Sequence, residues 1–505
     1  MSVEISRRGF LGGLALFAAA RTASSYAAVR GAGEPNVAFG VLSDVHICCD
    51  GMARFIKDCS AYTRLRNTDD LEKAFAYFRD QGADGVVIAG DIADWGLVLQ
   101  LQQVADTWNK IFPDGKGKDG RPVERLFALG NHDMAGWTYD YAVAARGDLP
   151  EPTDADILAK DLPGNWRRIF NEDYEPIWQK EVRGYTFIGA HYVSSKGIPE
   201  VGPYMKKHAQ QLKGTKPFFY IQHQQPKNTC LGNAIWGHDN GCSTKALSAF
   251  PNAVAFSGHS HKTLTTPLNV WQGAFTSIAT ATLFQLGHMI GRDNSATADS
   301  NARTLLTAEK SRKGQRSLAL HGQFVRVYDD FIEIERREFV SGQPLGPNLV
   351  IPLPATKEKP FLFATQAKAS TAPAPFPDGA TVEIAAGRKT PRGKKKAVPC
   401  VTLTFPQTRR VATCSRTLDY ELAVESYEAD VTQTLFTRDI TSPNDFYPEG
   451  FIQGPVVWPL AASLFPKGVL LRFVVRGRAG WDKFNEPIYS RTFKIEDLLK
   501  KKELA

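Results

Sequence analysis

Carboxylates, imidazoles and a carboxamide recur in this chain in one setting, just past the end of a short apolar run. Residues 37–42 lead into Ser43-Asp44-Val45-His46, 85–89 into Gly90-Asp91, and 126–129 into Gly130-Asn131-His132-Asp133. Further on, 218–221 lead into Gln222-His223 and 253–256 into Ser257-Gly258-His259-Ser260-His261. Any one of these stretches alone would read as a loop of turn-forming residues. Together they supply more ligands than one metal ion needs. A carboxylate can bridge two cations, and Asp91, lying between the other groups in sequence, is the natural bridge. Two cations about 3.5–4 Å apart can clamp the attacking and leaving oxygens of an in-line displacement at phosphorus. They would also lower the pKa of a shared water and give hydroxide at neutral pH.

To converge, the apolar runs must be buried strands of an α/β sheet, where ligands bind beyond the carboxyl ends. Residues 70–81 read as a helix with Leu71, Ala74, Phe75 and Phe78 on one face, and 97–111 as another. Residues 134–180 lack a steady period and are rich in Trp, Tyr, Asp and Pro. An irregular stretch directly after the central motif marks a lid or pocket wall. There, Trp137, Tyr139 and Trp166 either stack on a substrate or pin the segment down, and His191 and His238 fall where pocket loops are expected. Strands resume at 185–190, and 322–339 reads as a hairpin turning at Asp329-Asp330. The first domain is thus expected over 36–352, and a linker rich in Pro, Ala, Lys and Thr over 353–379. Residues 380–505 read as a small all-β sandwich, with strands at 398–405, 418–425 and 469–475. Its stretch 471–492 is similar to the last hairpin of fibronectin type III domains. The basic run 388–396 reads as an exposed hairpin loop.

A length of 505 residues favours two domains, and 43% hydrophobic with 23% charged residues is the balance of a soluble globular protein. A net charge of +8 is mild for this length and gives no reason to expect a nucleic-acid partner. Residues 1–27 read as a targeting segment: Arg7-Arg8 precede an apolar stretch at 10–20, too short for a membrane span, and small residues follow. This resembles a twin-arginine export signal and implies a periplasmic or secreted protein. No later stretch is long and apolar enough to span a membrane. In such a compartment the seven cysteines could pair. Cys400 and Cys414 would face each other across a hairpin centred near Gln407, and Cys230 and Cys242 would brace a loop after His223. Cys48, Cys49 and Cys59 leave at least one thiol over.

In order along the chain, Asp44-x-His46, Gly90-Asp91, Gly130-Asn131-His132-Asp133, His223 and Gly258-His259-x-His261 resemble the motifs of the calcineurin-like metallophosphoesterases. The resemblance implies an α/β (α+β) fold, a four-layer αββα sandwich with a dinuclear centre of Mn, Fe or Zn at one edge of its sheets. It implies that Asp44, His46, Asp91 and His261 hold one ion, and that Asp91, Asn131, His223 and His259 hold the other. It implies a phosphodiesterase or phosphatase acting on a phosphoester, with His132, not itself a ligand, meeting the leaving oxygen or the phosphate and Asp94 in place to orient it. Family protein phosphatases follow the residue at Asp94 with an Arg that grips phosphate; here Trp95 follows, which argues against a protein phosphatase. Asp94 in place of a Tyr ligand, together with His46, argues against purple acid phosphatases. A rival reading is a binding protein on the same fold that acts through its C-terminal sandwich. It would require lost ligands, and every expected ligand is present.

Overall fold

The computed structural model describes residues 33–47, 68–231, 237–284, 286, 292–293, 320–355, 362–390, 395–411, 413–428, 431–446 and 454–500. Residues 1–27, read above as a targeting segment, Cys48, Cys49, Cys59 and the centre of the basic run lie outside them.

The apolar runs are strands buried along their whole length. In chain order the strands of this domain begin with β1 (Val37–Leu42), β2 (Gly85–Ala89), β3 (Glu124–Ala128), β4 (Ile177–Val182), β5 (Tyr185–Ala190), β6 (Phe218–Gln222), β7 (Ala253–Ser257), β8 (Val270–Gln272) and β9 (Thr276–Ala279). The hairpin β10 (His321–Val327) and β11 (Phe331–Glu338) follows as expected, then β12 (Gln343–Pro344) and β13 (Leu349–Pro352). They form two sheets. One has the order β12-β11-β10-β1-β2-β3, with β13 paired to β11, and the other the order β4-β5-β6-β7-β9-β8. The strands that carry the polar motifs, β1-β2-β3 in one sheet and β6-β7 in the other, are parallel, so their carboxyl ends share one edge of the stack.

Period-two alternation decides which side chains meet between the sheets. Phe39 and Val41 face inward against Phe187, Phe219 and Phe256, with the Phe39 ring 4.8 Å from Phe219 and 5.0 Å from Phe187. Each such buried Phe contributes roughly 1.5–3 kcal/mol. The outer face of the first sheet is covered by helices α1 (Thr68–Asp80), α2 (Val98–Ile111) and α3 (Leu162–Phe170), through Phe75, Phe78, Trp108 and Phe170. A Cβ on Gly40 would fall 2.2 Å from Phe78, so only glycine lets α1 lie this close to β1. The second sheet is covered by α4 (Val201–Lys207) and α5 (Cys242–Leu247). The four layers are those expected, and the helices expected at 70–81 and 97–111 are α1 and α2. Among the described residues no helix is long and apolar enough to cross a membrane.

The C-terminal region is all-β apart from short helical turns. Strands β14 (Glu383–Lys389), β15 (Val398–Phe405) and β18 (Val456–Ala461) make one antiparallel sheet. Strands β16 (Asp419–Glu428), β17 (Val431–Thr441) and β19 (Leu471–Ala479) make the other, completed by β20 (Lys483–Phe484) and β21 (Ile488–Tyr489) on β19. Two expectations fail here. Residues 406–418 do not fold back on β15 but cross to the other sheet, so Cys400 stands opposite Gly387 and Ala461, and Cys400 and Cys414 are both unpaired. Cys230 and Cys242 are likewise unpaired: Cys230 is buried against Ser277, while Cys242 lies beside Asp239. The stretch read as a linker carries helix α6 (Leu362–Ala369), whose Gln366 donates to the carbonyl of Val350 on β13. Trp481, beyond β19, is buried in the core between the first domain's two sheets, so the two regions share packing as well as a covalent link.

Candidate metal centre

At the shared edge the chain bends sharply where each strand ends. Asp44, His46, Asp91, His259 and His261 all take positive φ, between 48° and 70°. Side chains other than glycine rarely adopt this conformation, and such strain gathers where function requires a particular geometry. Glycines beside them permit close approach: a Cβ on Gly90 would meet His223 Nδ1 at 2.3 Å, and one on Gly130 would meet Asp91 Oδ1 at 2.2 Å. Asp133 ties the β2 and β3 ends together, its carboxylate accepting from the backbone N–H groups of Gly130 (2.7 Å), Ala93 (2.7 Å) and Ile92 (3.2 Å).

Every sequence-derived ligand reaches this edge, in two adjoining clusters. In the first, His261 Nε2 lies 2.9 Å from Asp44 Oδ1, and His46 Nε2 lies 3.3 Å from His261 Nε2. In the second, His223 Nε2 lies 2.9 Å from Asp91 Oδ2 and 3.0 Å from His259 Nδ1. Asp91 Oδ2 also stands 3.7 Å from His46 Nε2, between the clusters. The rings are aimed from behind. His46 Nδ1 is 2.9 Å from Asp94 Oδ1, and His223 Nδ1–H donates to the Ala89 carbonyl at 2.9 Å, which leaves each Nε2 facing the centre.

The donor set fits cations. The buried amide oxygen of Asn131 has no hydrogen-bond partner, while its amide nitrogen donates to Tyr139 Oη at 3.0 Å, a tether that leaves the oxygen as the free end of the carboxamide. Burial brings His46 down to about 4 and His259 down to about 3, in both cases helped by a neighbouring imidazole, His132 and His223 respectively, so both present neutral lone pairs. Burial would push Asp44 up, but His261 and His223 bring it down to about 2. Asp91 sits well below the carboxylate range because His223 and His132 outweigh its burial. Lone pairs and carboxylates packed this densely are what two cations would hold together.

His132 stands beside both clusters, its ring 4.5 Å from that of His46. Its Nδ1 is 2.9 Å from the backbone carbonyl of Asp94, 2.9 Å from Tyr141 Oη and 3.4 Å from Asp94 Oδ1. Burial opposes charge on this ring, but Asp91 and Asp94 outweigh it and hold its pKa up at about 9. The nearer contact of the Asp94 carboxylate is therefore His46, and Asp94 reaches His132 chiefly through its main chain.

Of the three aromatics singled out in 134–180, Tyr139 reaches the centre, its ring edge-on to His132 at 4.9 Å. Trp166 is 5% exposed and packs on Phe170, Tyr174 and His191, too deep to stack on a substrate. Trp137 joins a small cluster with Trp95 and Leu97. His191 is not at the pocket either: it is buried, accepts from Leu129 N–H at 2.9 Å, and burial lowers its pKa to about 3. His238 follows Gly237, whose backbone lies against the His259 ring. Tyr141 and the bracing role of Asp133 have no spacing signature and emerge only from the fold.

No curated protein matches the chain. Among solved structures, a dimetal phosphatase from Danio rerio is 14% identical, with 63% of this chain and 99% of that one covered at a TM-score of 0.32. A protein from Streptococcus pneumoniae described as a predicted phosphoesterase is 12% identical, with 63% and 97% covered at a TM-score of 0.24. The family model described as calcineurin-like phosphoesterase matches residues 37–263, the span that holds β1 to β7 and every ligand above.

Proposed function

We propose that this chain is a dinuclear metal-dependent hydrolase of a phosphodiester or phosphomonoester, exported to the periplasm or beyond. The observation that carries the reading is Asp91, whose Oδ2 faces His223 Nε2 at 2.9 Å and His46 Nε2 at 3.7 Å. Asp44, His46, Asp91 and His261 would hold one cation, and Asp91, Asn131, His223 and His259 the other. Bound there, the cations would supply the attacking hydroxide and neutralise the charge that gathers on the phosphoryl oxygens. The protein's own part is orientation and proton supply. Asp94 and Ala89 hold the His46 and His223 rings, Tyr139 holds Asn131, and His132 is the acid. With Nδ1 bound by Asp94 and Tyr141, His132 gives the Nε2 proton to the departing oxygen.

Asp91→Asn is expected to bind neither ion at full occupancy and to lose turnover of a chromogenic phosphodiester, with the circular-dichroism spectrum of the wild type. Two ions retained by elemental analysis of that variant would sink the bridging role. Export rests on Arg7-Arg8. Changing both to Lys is expected to strand the protein in the cytoplasm, and undiminished periplasmic protein would remove the assignment.

A further inference from the structure

The loop that carries His259 and His261 continues as Lys262-Thr263-Leu264-Thr265, and this continuation lies at the seam with the C-terminal region. Asp445, from the turn after β17, is fully buried there, and its Oδ1 accepts from Thr263 Oγ1 at 3.0 Å and Thr265 Oγ1 at 2.5 Å. The two hydroxyls are 2.8 Å from each other, so one carboxylate oxygen closes a three-membered polar cluster. Between them, the backbone of Leu264 is held from the first domain: its carbonyl accepts from Arg336 Nη1 at 2.9 Å and its N–H lies 3.3 Å from His321 Nδ1. Gly480, beside Trp481, presses on the same loop, and a Cβ there would meet the Thr265 carbonyl at 2.2 Å.

We infer that Asp445 is a positioning residue for the metal centre and that the C-terminal region completes that centre. The inference rests on the dinuclear reading above. His261 takes positive φ (54°), a conformation that persists only where its surroundings enforce it. Three residues on, the first domain supplies anchors for the backbone of Leu264, and the side chains on either side of Leu264 are anchored by Asp445. Removing that acceptor leaves two buried hydroxyls to find other partners and releases the loop on the side of His261. His259 is covered separately, by its N–H bonds to both oxygens of Asp44 at 2.9 and 3.1 Å. The ion held by Asp44, His46 and His261 should therefore loosen before the other.

The test is metal retention in the full chain loaded with Zn²⁺. Asp445→Ala is expected to release one ion to a chelator about tenfold faster, the low end of what outer partners of metal ligands contribute, with the release of the other ion unchanged. Asp445→Asn keeps an accepting oxygen and should restore wild-type release. Thr265→Val, nearly isosteric, should shift release in the same direction as Asp445→Ala, which keeps the test open should the alanine variant fail to fold. Wild-type release from both Asp445→Ala and Thr265→Val, or equal acceleration of both ions, would overturn the inference while leaving the dinuclear reading intact. A wild-type chain that takes up no zinc would overturn both.

Discussion

Oxygen surrounds the Nδ1 side of His132, with the Asp94 carbonyl, the Tyr141 hydroxyl and, farther off, the Asp94 carboxylate, which leaves Nε2 as the nitrogen that would hand over a proton. A positioned acid contributes about 10²–10⁴-fold, and its worth grows with the basicity of the leaving oxygen. His132→Ala is therefore expected to slow alkyl phosphoesters within that range and nitrophenyl esters far less, with metal content unchanged. Asp94→Asn should behave differently, because the same carboxylate lies 2.9 Å from His46 Nδ1. It is expected to cost both leaving-group discrimination and about 10–100-fold in affinity for the ion beside His46. Paired kcat/KM values on aryl and alkyl substrates, with metal titrations, separate the two variants. Equal losses on both substrate types in His132→Ala would move His132 from acid to phosphate binding.

At the scale of elements, the centre is made by bends that only certain residues permit. Gly90 has a φ of 86° and no room for a Cβ beside His223, so Gly90→Ala should displace that ring. The expected result is loss of the ion held by His223 and His259 and a lower melting temperature; a variant that keeps both ions would show that the β2 end can move aside. These bends explain what could be read in advance. Apolar runs that stop at Gly-Asp or Gly-Asn-His announce strand ends without any structure, and β1, β2, β3, β6 and β7 lie where the runs lie. Contacts between distant residues leave no local trace: His46 and Asp94 are 48 positions apart, and Tyr141 follows His132 with no periodic reason to turn back toward it. Trp166 misleads for a related cause. In a stretch without a steady period an aromatic looks the same whether it lines a pocket or, as here, points from α3 into the outer core. The cysteines mislead because the chain crosses between sheets after β15, where turning back would have required a hairpin.

At the scale of the whole molecule, the seam carries its own pH dependence. Burial raises the Asp445 carboxyl to about 7, against the pull of the Thr265 and Thr263 hydroxyls and of Arg416, with Asp419 adding to the rise. A folded-state pKa above the ordinary 3.8 means that the docked form binds the proton more tightly, so the contribution is full at acid pH and lost as pH rises through about 7. Denaturant unfolding should therefore show a more stable chain at pH 5 than at pH 8 from this group, and Asp445→Asn should remove that part of the difference. An unchanged profile in the variant would assign the pH dependence elsewhere.

The place of Trp481 bears on how the protein is made. Its indole fills the same core as Val37 and Phe39 and meets Phe363 at 5.5 Å, so the space between the two sheets is not closed until a residue near the far end of the chain arrives. Contacts of such sequence separation form late, and a ribosome delivers Trp481 only after every strand of the first domain has emerged. Until it arrives, the apolar side chains that Trp481 covers lack that partner. A chain cut short before Trp481 never gains that cover.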